Sequence, residues 1–198
     1  MIYNRFVTFL LLVIFSIQSQ SAEPLDVVTT IKPIHSILSG LMVGTTPPTL
    51  LIDGQQTPYR YQLSPQQQNK ILQADLVVWV GPELETFMSA PLQQLTSKTT
   101  VLTLLDNEEI KVLPSRWNEN KRDPFFWLDS RNVIILADEL ARALMRIDPD
   151  RRHLYERNRH QLLTRLAKLD RRLEYGYRGL KSGIGMAYYD TLQYFEQA

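Results

Sequence analysis

The chain has 198 residues, 44% of them hydrophobic and 22% charged, which excludes intrinsic disorder and a collagen-like repeat as its main character. Cysteine is absent, which excludes a disulfide framework, a thiolate metal site, a cysteine nucleophile and lipid attachment through a cysteine. The formal net charge of +1 supplies no whole-chain field for nucleic acid, and His35, His153 and His160 are the only histidines from which a metal site could draw.

Residues 1–21 read as a signal peptide. Arg5 precedes a twelve-residue apolar run from Phe6 to Ile17, and small and polar residues follow, QSQSAEP. The run is shorter than the roughly 20 residues needed to span a bilayer. Cleavage after Ser21, or after Ala22, would release a soluble protein outside the cytoplasm, most simply in a periplasm. An uncleaved anchor is the alternative.

Asp26–Ile31 then reads as a buried, β-branched strand, followed by a short helix over Pro33–Met42 with Pro in its first turn. Thr49–Ile52 is a second strand, ended by the turn at Asp53-Gly54. Ser64-Pro65 has the pattern of an N-cap and first helical residue, and that helix runs to Ala74. Asp75–Gly81, DLVVWVG, is a continuous apolar run suited to a strand covered on both faces. Glu83–Leu95 reads as a helix bent at Pro91, and Thr100–Leu105 as a fourth strand. Strands alternating with helices predict an α/β lobe with a parallel sheet, whose functional rim lies at the carboxyl ends of the strands, over residues 32–36, 54–61 and 81–85.

The second half differs. Leu113–Pro124 reads as a polar loop. A helix over Arg131–Ile147 is opened by Asp129 or Ser130. Pro149 then starts a helix reaching Tyr175, with a narrow apolar stripe of Leu154, Leu162, Leu166, Leu169 and Leu173. Its roughly 27 residues would span about 40 Å, long enough to brace two lobes. Residues 22–150 carry 11 Lys+Arg against 16 Asp+Glu, whereas residues 151–181 carry 10 against 3. The basic helix could dock on an anionic surface, but a solvated face with Arg pairs is the plainer reading.

Five segments together carry a resemblance: VVTTIKPIHSIL at 27–38, GQQTPYRYQLSP at 54–65, ADLVVWVGPELETFM at 74–88, DPFFWLD at 123–129 and YYDTLQYF at 188–195. In order and spacing they resemble the periplasmic solute-binding proteins of zinc and manganese ABC importers, the high-affinity zinc-uptake type in particular. The resemblance implies two α/β lobes joined by one long helix, a metal in the cleft between them, and delivery to an ABC permease. It divides the chain into a signal peptide (1–21), an N-terminal lobe (22–147), a linking helix (148–180) and the start of a truncated C-terminal lobe (181–198). It also implies that a second lobe of domain size is missing here. Tyr188, Leu192 and Phe195 would then be left for a protein partner to cover.

The family pattern places three histidine ligands where this chain has Tyr59, Phe125 and Tyr189. Phe125 offers no lone pair. Phenols with a reference pKa near 10 are poor neutral-pH ligands, and Arg60 stands where a carboxylate is common. The histidine-rich loop often found before the second ligand is here SRWNENKR. No bound cofactor is therefore expected, with zinc or manganese the cargo if the family activity survives.

The remaining candidates have plainer alternatives. His35 could be a lone ligand or a hydrogen-bonded helix residue. His153 and His160, seven apart, read as surface residues. Asp123, Asp129 and Asp190 could form an oxygen-rich site for a hard cation, or cap a helix and hold loops. Trp79 and Trp127 could line an aromatic pocket or pack the core. No nucleophile–base pair, phosphate loop or paired-carboxylate pattern argues for an enzyme. Two functions follow as expectations: an exported solute-binding protein related to zinc import but without the standard zinc site, or a metal-free interaction protein, of which an inactive truncated copy is a variant.

Overall fold

The computed structural model of the chain describes residues 23–179 and 189–197. The signal-peptide segment and the expected first strand of the second lobe, with Tyr188, lie outside the described residues. Among those described, no helix is long and apolar enough to cross a membrane.

Four short strands form a parallel sheet: β1 (Val27–Thr29), β2 (Thr49–Leu50), β3 (Leu76–Trp79) and β4 (Thr100–Thr103), in the order β2-β1-β3-β4. β1 pairs with β2 on one side and β3 on the other, with Val28 opposite both Thr49 and Val77. Every residue of β3 is buried, as its uninterrupted apolar run requires. The strand order reverses between β1 and β3, the switch point at which an open parallel sheet leaves a crevice outside its carboxyl ends.

Helix α1 (Lys32–Leu41) has Pro33 in its first turn and buries Ile34, Ile37, Leu38 and Leu41, the three-and-four spacing of one helical face. Helix α2 (Pro65–Gln73) opens with a reciprocal capping box: Ser64 Oγ accepts from Gln67 N, and Gln67 Oε1 accepts from Ser64 N. The expected helix over Glu83–Leu95 is instead a 3-10 turn (Thr86–Met88) followed by the four-residue α3 (Ser89–Leu92). Glu85 holds a non-helical backbone (φ −124°, ψ 57°) because its side chain is engaged with the end of β3. Pro91 lies in the first turn of α3, where no amide bond is needed, so it bends nothing.

The segment expected as a polar loop is an antiparallel hairpin of β5 (Pro114–Ser115) and β6 (Asn118–Arg122). Its sequence NENKR is polar on both faces, so alternation could not reveal it. Arg122 clamps it to the sheet, with Nε 2.5 Å from Glu83 Oε1 and Nη1 2.8 Å from the Leu105 carbonyl. The Glu83 and Asp106 carboxylates raise the guanidinium pKa further above its ordinary value.

Helix α4 (Ser130–Ile147) is capped by Asp129, whose Oδ1 accepts from Arg131 N at 2.9 Å. After a 3-10 turn at Pro149–Arg151, α5 runs from Arg152 to Tyr177 and makes its main contact with α4. Its fully buried residues are Tyr155 and Asn158, while Leu162 and Leu166 are half-buried against the core and Leu169 is exposed. His153 and His160 are exposed on the same helix. The last described element is α6 (Gln193–Gln197).

Candidate metal-binding cleft

The loops leaving the carboxyl ends of the sheet build an open cleft of about 790 Å³. After β2 the chain turns at Gly54, with φ +93°. It then makes a 3-10 turn over Pro58–Arg60, in which Thr57 Oγ1 accepts from Tyr59 N at 3.4 Å. That turn presents Tyr59 and Arg60 to the cleft. Leu84 enters from the loop after β3, Phe125 from the segment before α4, Trp117 from the tip of the hairpin, and Tyr189 and Asp190 from the segment before α6.

Tyr59, Phe125 and Tyr189, 66 and 64 positions apart along the chain, thus line one cavity. His35 does not join them. It sits half-buried in α1 with Nε2 3.1 Å from the Pro48 carbonyl, at the opposite end of β2. Phe125 packs edge-on against Trp127 at 5.5 Å, and Trp127 likewise against the buried Phe126 at 5.6 Å. Trp79 is buried, and its indole donates to Thr103 Oγ1 at 2.9 Å.

The three aspartates near these positions have structural partners. Asp129 caps α4. Asp123 is buried, and its Oδ1 accepts from Phe125 N at 2.9 Å, closing the turn that sets Phe125. Burial raises the Asp123 carboxyl pKa, and nearby Asp190 adds to the rise. Asp190 accepts from Arg116 Nη1 at 3.1 Å, and the same guanidinium also pairs with Glu196. Burial also raises the Tyr59 phenol above its ordinary pKa, with Asp123 adding to the rise, which keeps it neutral. Among the described residues, no group of three or more His, Asp or Glu side chains is placed to hold a metal ion.

Sequence reasoning did not single out Trp117, Arg116 or Tyr194. Trp117 is 85% exposed at the cleft wall. The signal it left was an isolated aromatic in a wholly polar stretch. Tyr194 is fully buried, accepts from Leu113 N at 2.9 Å and donates to the Asp123 carbonyl at 2.8 Å. Burial pushes its phenol up to about 12. It pins the segment carrying Tyr189 to the loop carrying Phe125.

The family profile described as the periplasmic zinc-uptake complex component A matches residues 27–198. The chain belongs to this family. The high-affinity zinc uptake system protein ZnuA of Brucella abortus is 27% identical over 219 residues, covering 90% of this chain and 66% of the relative. The manganese ABC transporter substrate-binding lipoprotein PsaA of Streptococcus pneumoniae is 27% identical over 166 residues, covering 81% and 54%. The crystal structure of the Zn(II)-bound ZnuA-like domain of Streptococcus pneumoniae AdcA superposes with a TM-score of 0.78 at 23% identity, over 88% of this chain and 64% of that domain. The chain thus spans about two thirds of the length of these relatives or less. The superposition shows a shared α/β fold, and the family is one of transport substrate-binding proteins rather than enzymes.

Proposed function

We propose that this chain is an exported, periplasmic relative of the solute-binding component of zinc and manganese ABC importers whose cleft does not hold zinc through the family's ligand set. The observation that carries this reading is the convergence of Tyr59, Phe125 and Tyr189 on one cavity, beside Arg60. A tetrahedral zinc site needs imidazole, thiolate or carboxylate donors. Two phenols and a phenyl ring do not supply them, and a guanidinium repels the cation. Manganese prefers carboxylate and other oxygen donors, but the nearest carboxylates are engaged: Asp190 by Arg116, and Asp123 by its own loop.

Calorimetric titration of metal-stripped protein with zinc at neutral pH tests the reading. The expected result is no binding, or a Kd weaker than about 100 µM. One-to-one binding with a sub-micromolar Kd, beyond about −8 kcal/mol, overturns it.

A second reading is a metal-free partner of an ABC permease or of another exported protein. It draws on the apolar surface at α6, where Leu192 and Phe195 are 40% and 42% exposed. Phe195 packs edge-on against Tyr177 of α5 at 5.3 Å, which leaves an aromatic surface for a partner.

A further inference from the structure

Removing a metal's ligands does not leave this cleft featureless. Its walls are aromatic, with Tyr59 51%, Trp117 85% and Tyr189 72% exposed toward solvent, and Phe125 and Leu84 behind them. Its volume, about 790 Å³, lies within the range of roughly 300–1,000 Å³ typical of small-molecule sites. A smaller recess of about 290 Å³ shares Pro58, Leu84 and Phe125 with it and is lined by Lys32 and Trp127.

The charges around these two spaces are unequal in availability. Asp190, the one carboxylate lining them among the described residues, is held by Arg116. Asp123 lies buried behind the wall and accepts from the Phe125 amide. By contrast, Arg60 in the cleft and Lys32 in the recess make no ion pair among the described residues. The uncompensated charge is therefore positive. A divalent cation or a quaternary ammonium could face the aromatic rings, but it would meet this field. A carboxylate would satisfy Arg60 through its planar fork while an attached flat apolar group covered the exposed rings.

We propose that the cleft walled by Tyr59, Trp117, Phe125 and Tyr189 binds a small organic carboxylate with a flat apolar body, with Arg60 as its counter-charge. The proposal rests on the reading that the metal ligand set has been replaced, and it names the class of solute that the replacement favours.

The test is calorimetry on the purified protein with three probes: 2-naphthoate, its neutral analogue 2-naphthamide, and phenyltrimethylammonium. Naphthoate is expected to bind one-to-one with a Kd below 1 mM, and the other two at least tenfold more weakly. Arg60 is exposed in a surface turn, so Arg60→Gln should leave the fold intact by circular dichroism while reducing the preference for naphthoate over naphthamide to less than twofold. Equal binding of the amide, preference for the ammonium, unchanged selectivity in Arg60→Gln, or no naphthoate binding to folded protein each overturns the proposal. Zinc added to the same samples separates the two levels of the argument. Sub-micromolar zinc binding would overturn the underlying reading, whereas failure of naphthoate without zinc binding would overturn this inference alone.

Discussion

Glu85 is fully buried at the carboxyl end of β3, where its Oε2 accepts from Val80 N at 2.7 Å and Gly81 N at 3.2 Å. Among the described residues its Oε1 has no hydrogen-bond partner, and neither do the buried hydroxyls of Thr29 and Thr30. Burial lifts the carboxyl pKa from 4.5 to about 7, against the smaller opposing pull of the Val80 and Gly81 amides. The folded state therefore holds its proton to higher pH than the unfolded state. The contribution is fully present below pH 4.5 and is lost as pH rises toward 7, after which it levels off. Glu85→Gln should flatten this dependence, which is worth at most about 3 kcal/mol. Urea denaturation of both proteins at pH 5 and pH 8 checks it: the variant should gain relative stability at pH 8, and an equal difference at both values would refute the assignment.

At the same scale, the sequence made Asp129 readable as a helix cap because the cap residue and its acceptor role are local. The burial of Tyr194 was not readable. Its two hydrogen bonds reach residues 71 and 81 positions away, and no local pattern distinguishes it from its exposed neighbour Phe195.

Among the elements, α1 was legible from the proline in its first turn, and α2 and α4 from their serine and aspartate N-caps, because these are short-range signals. The long helix was legible in extent but not in its buried face. Its leucine stripe is only half-covered, and α5 is anchored instead by Tyr155 and Asn158. Asn158 Nδ2 donates to the carbonyls of Leu41 and Val43, each at 2.8 Å, and so closes the C-terminal end of α1. Asn158→Ala leaves both carbonyls without this donor. A loss of about 2–3 kcal/mol in urea unfolding is expected, whereas a change below 0.5 kcal/mol would show that α5 is held by its leucines alone. The helix expected at Glu83–Leu95 failed for a tertiary reason. Glu85 is recruited to cap the strand end, and Gly81, at φ +149° with Leu105 pressed against it, completes that turn.

For the molecule as a whole, the cleft is a meeting point of loops that the α/β topology delivers to one end of the sheet. If the scaffold retains the family geometry, the combined substitution Tyr59→His, Phe125→His and Tyr189→His should bind zinc at least tenfold more tightly than the parent chain. Calorimetry with folded protein checks this. Unchanged affinity would mean that the loops, and not only the side chains, have moved away from a metal-binding arrangement.

By itself the sequence determined the parallel α/β lobe, the long helix and the family, because these reside in periodicity, caps and short motifs. Tertiary structure alone decided three other matters: that Tyr59, Phe125 and Tyr189 share one cavity, that Arg116 occupies Asp190, and that Trp117 walls the cleft from a hairpin without apolar alternation. The reason is physical. Helix and strand signals act over a few residues, whereas the charge balance and shape of the cleft arise from side chains brought together across more than 120 positions, where burial and pairing, not residue type, decide which groups remain available.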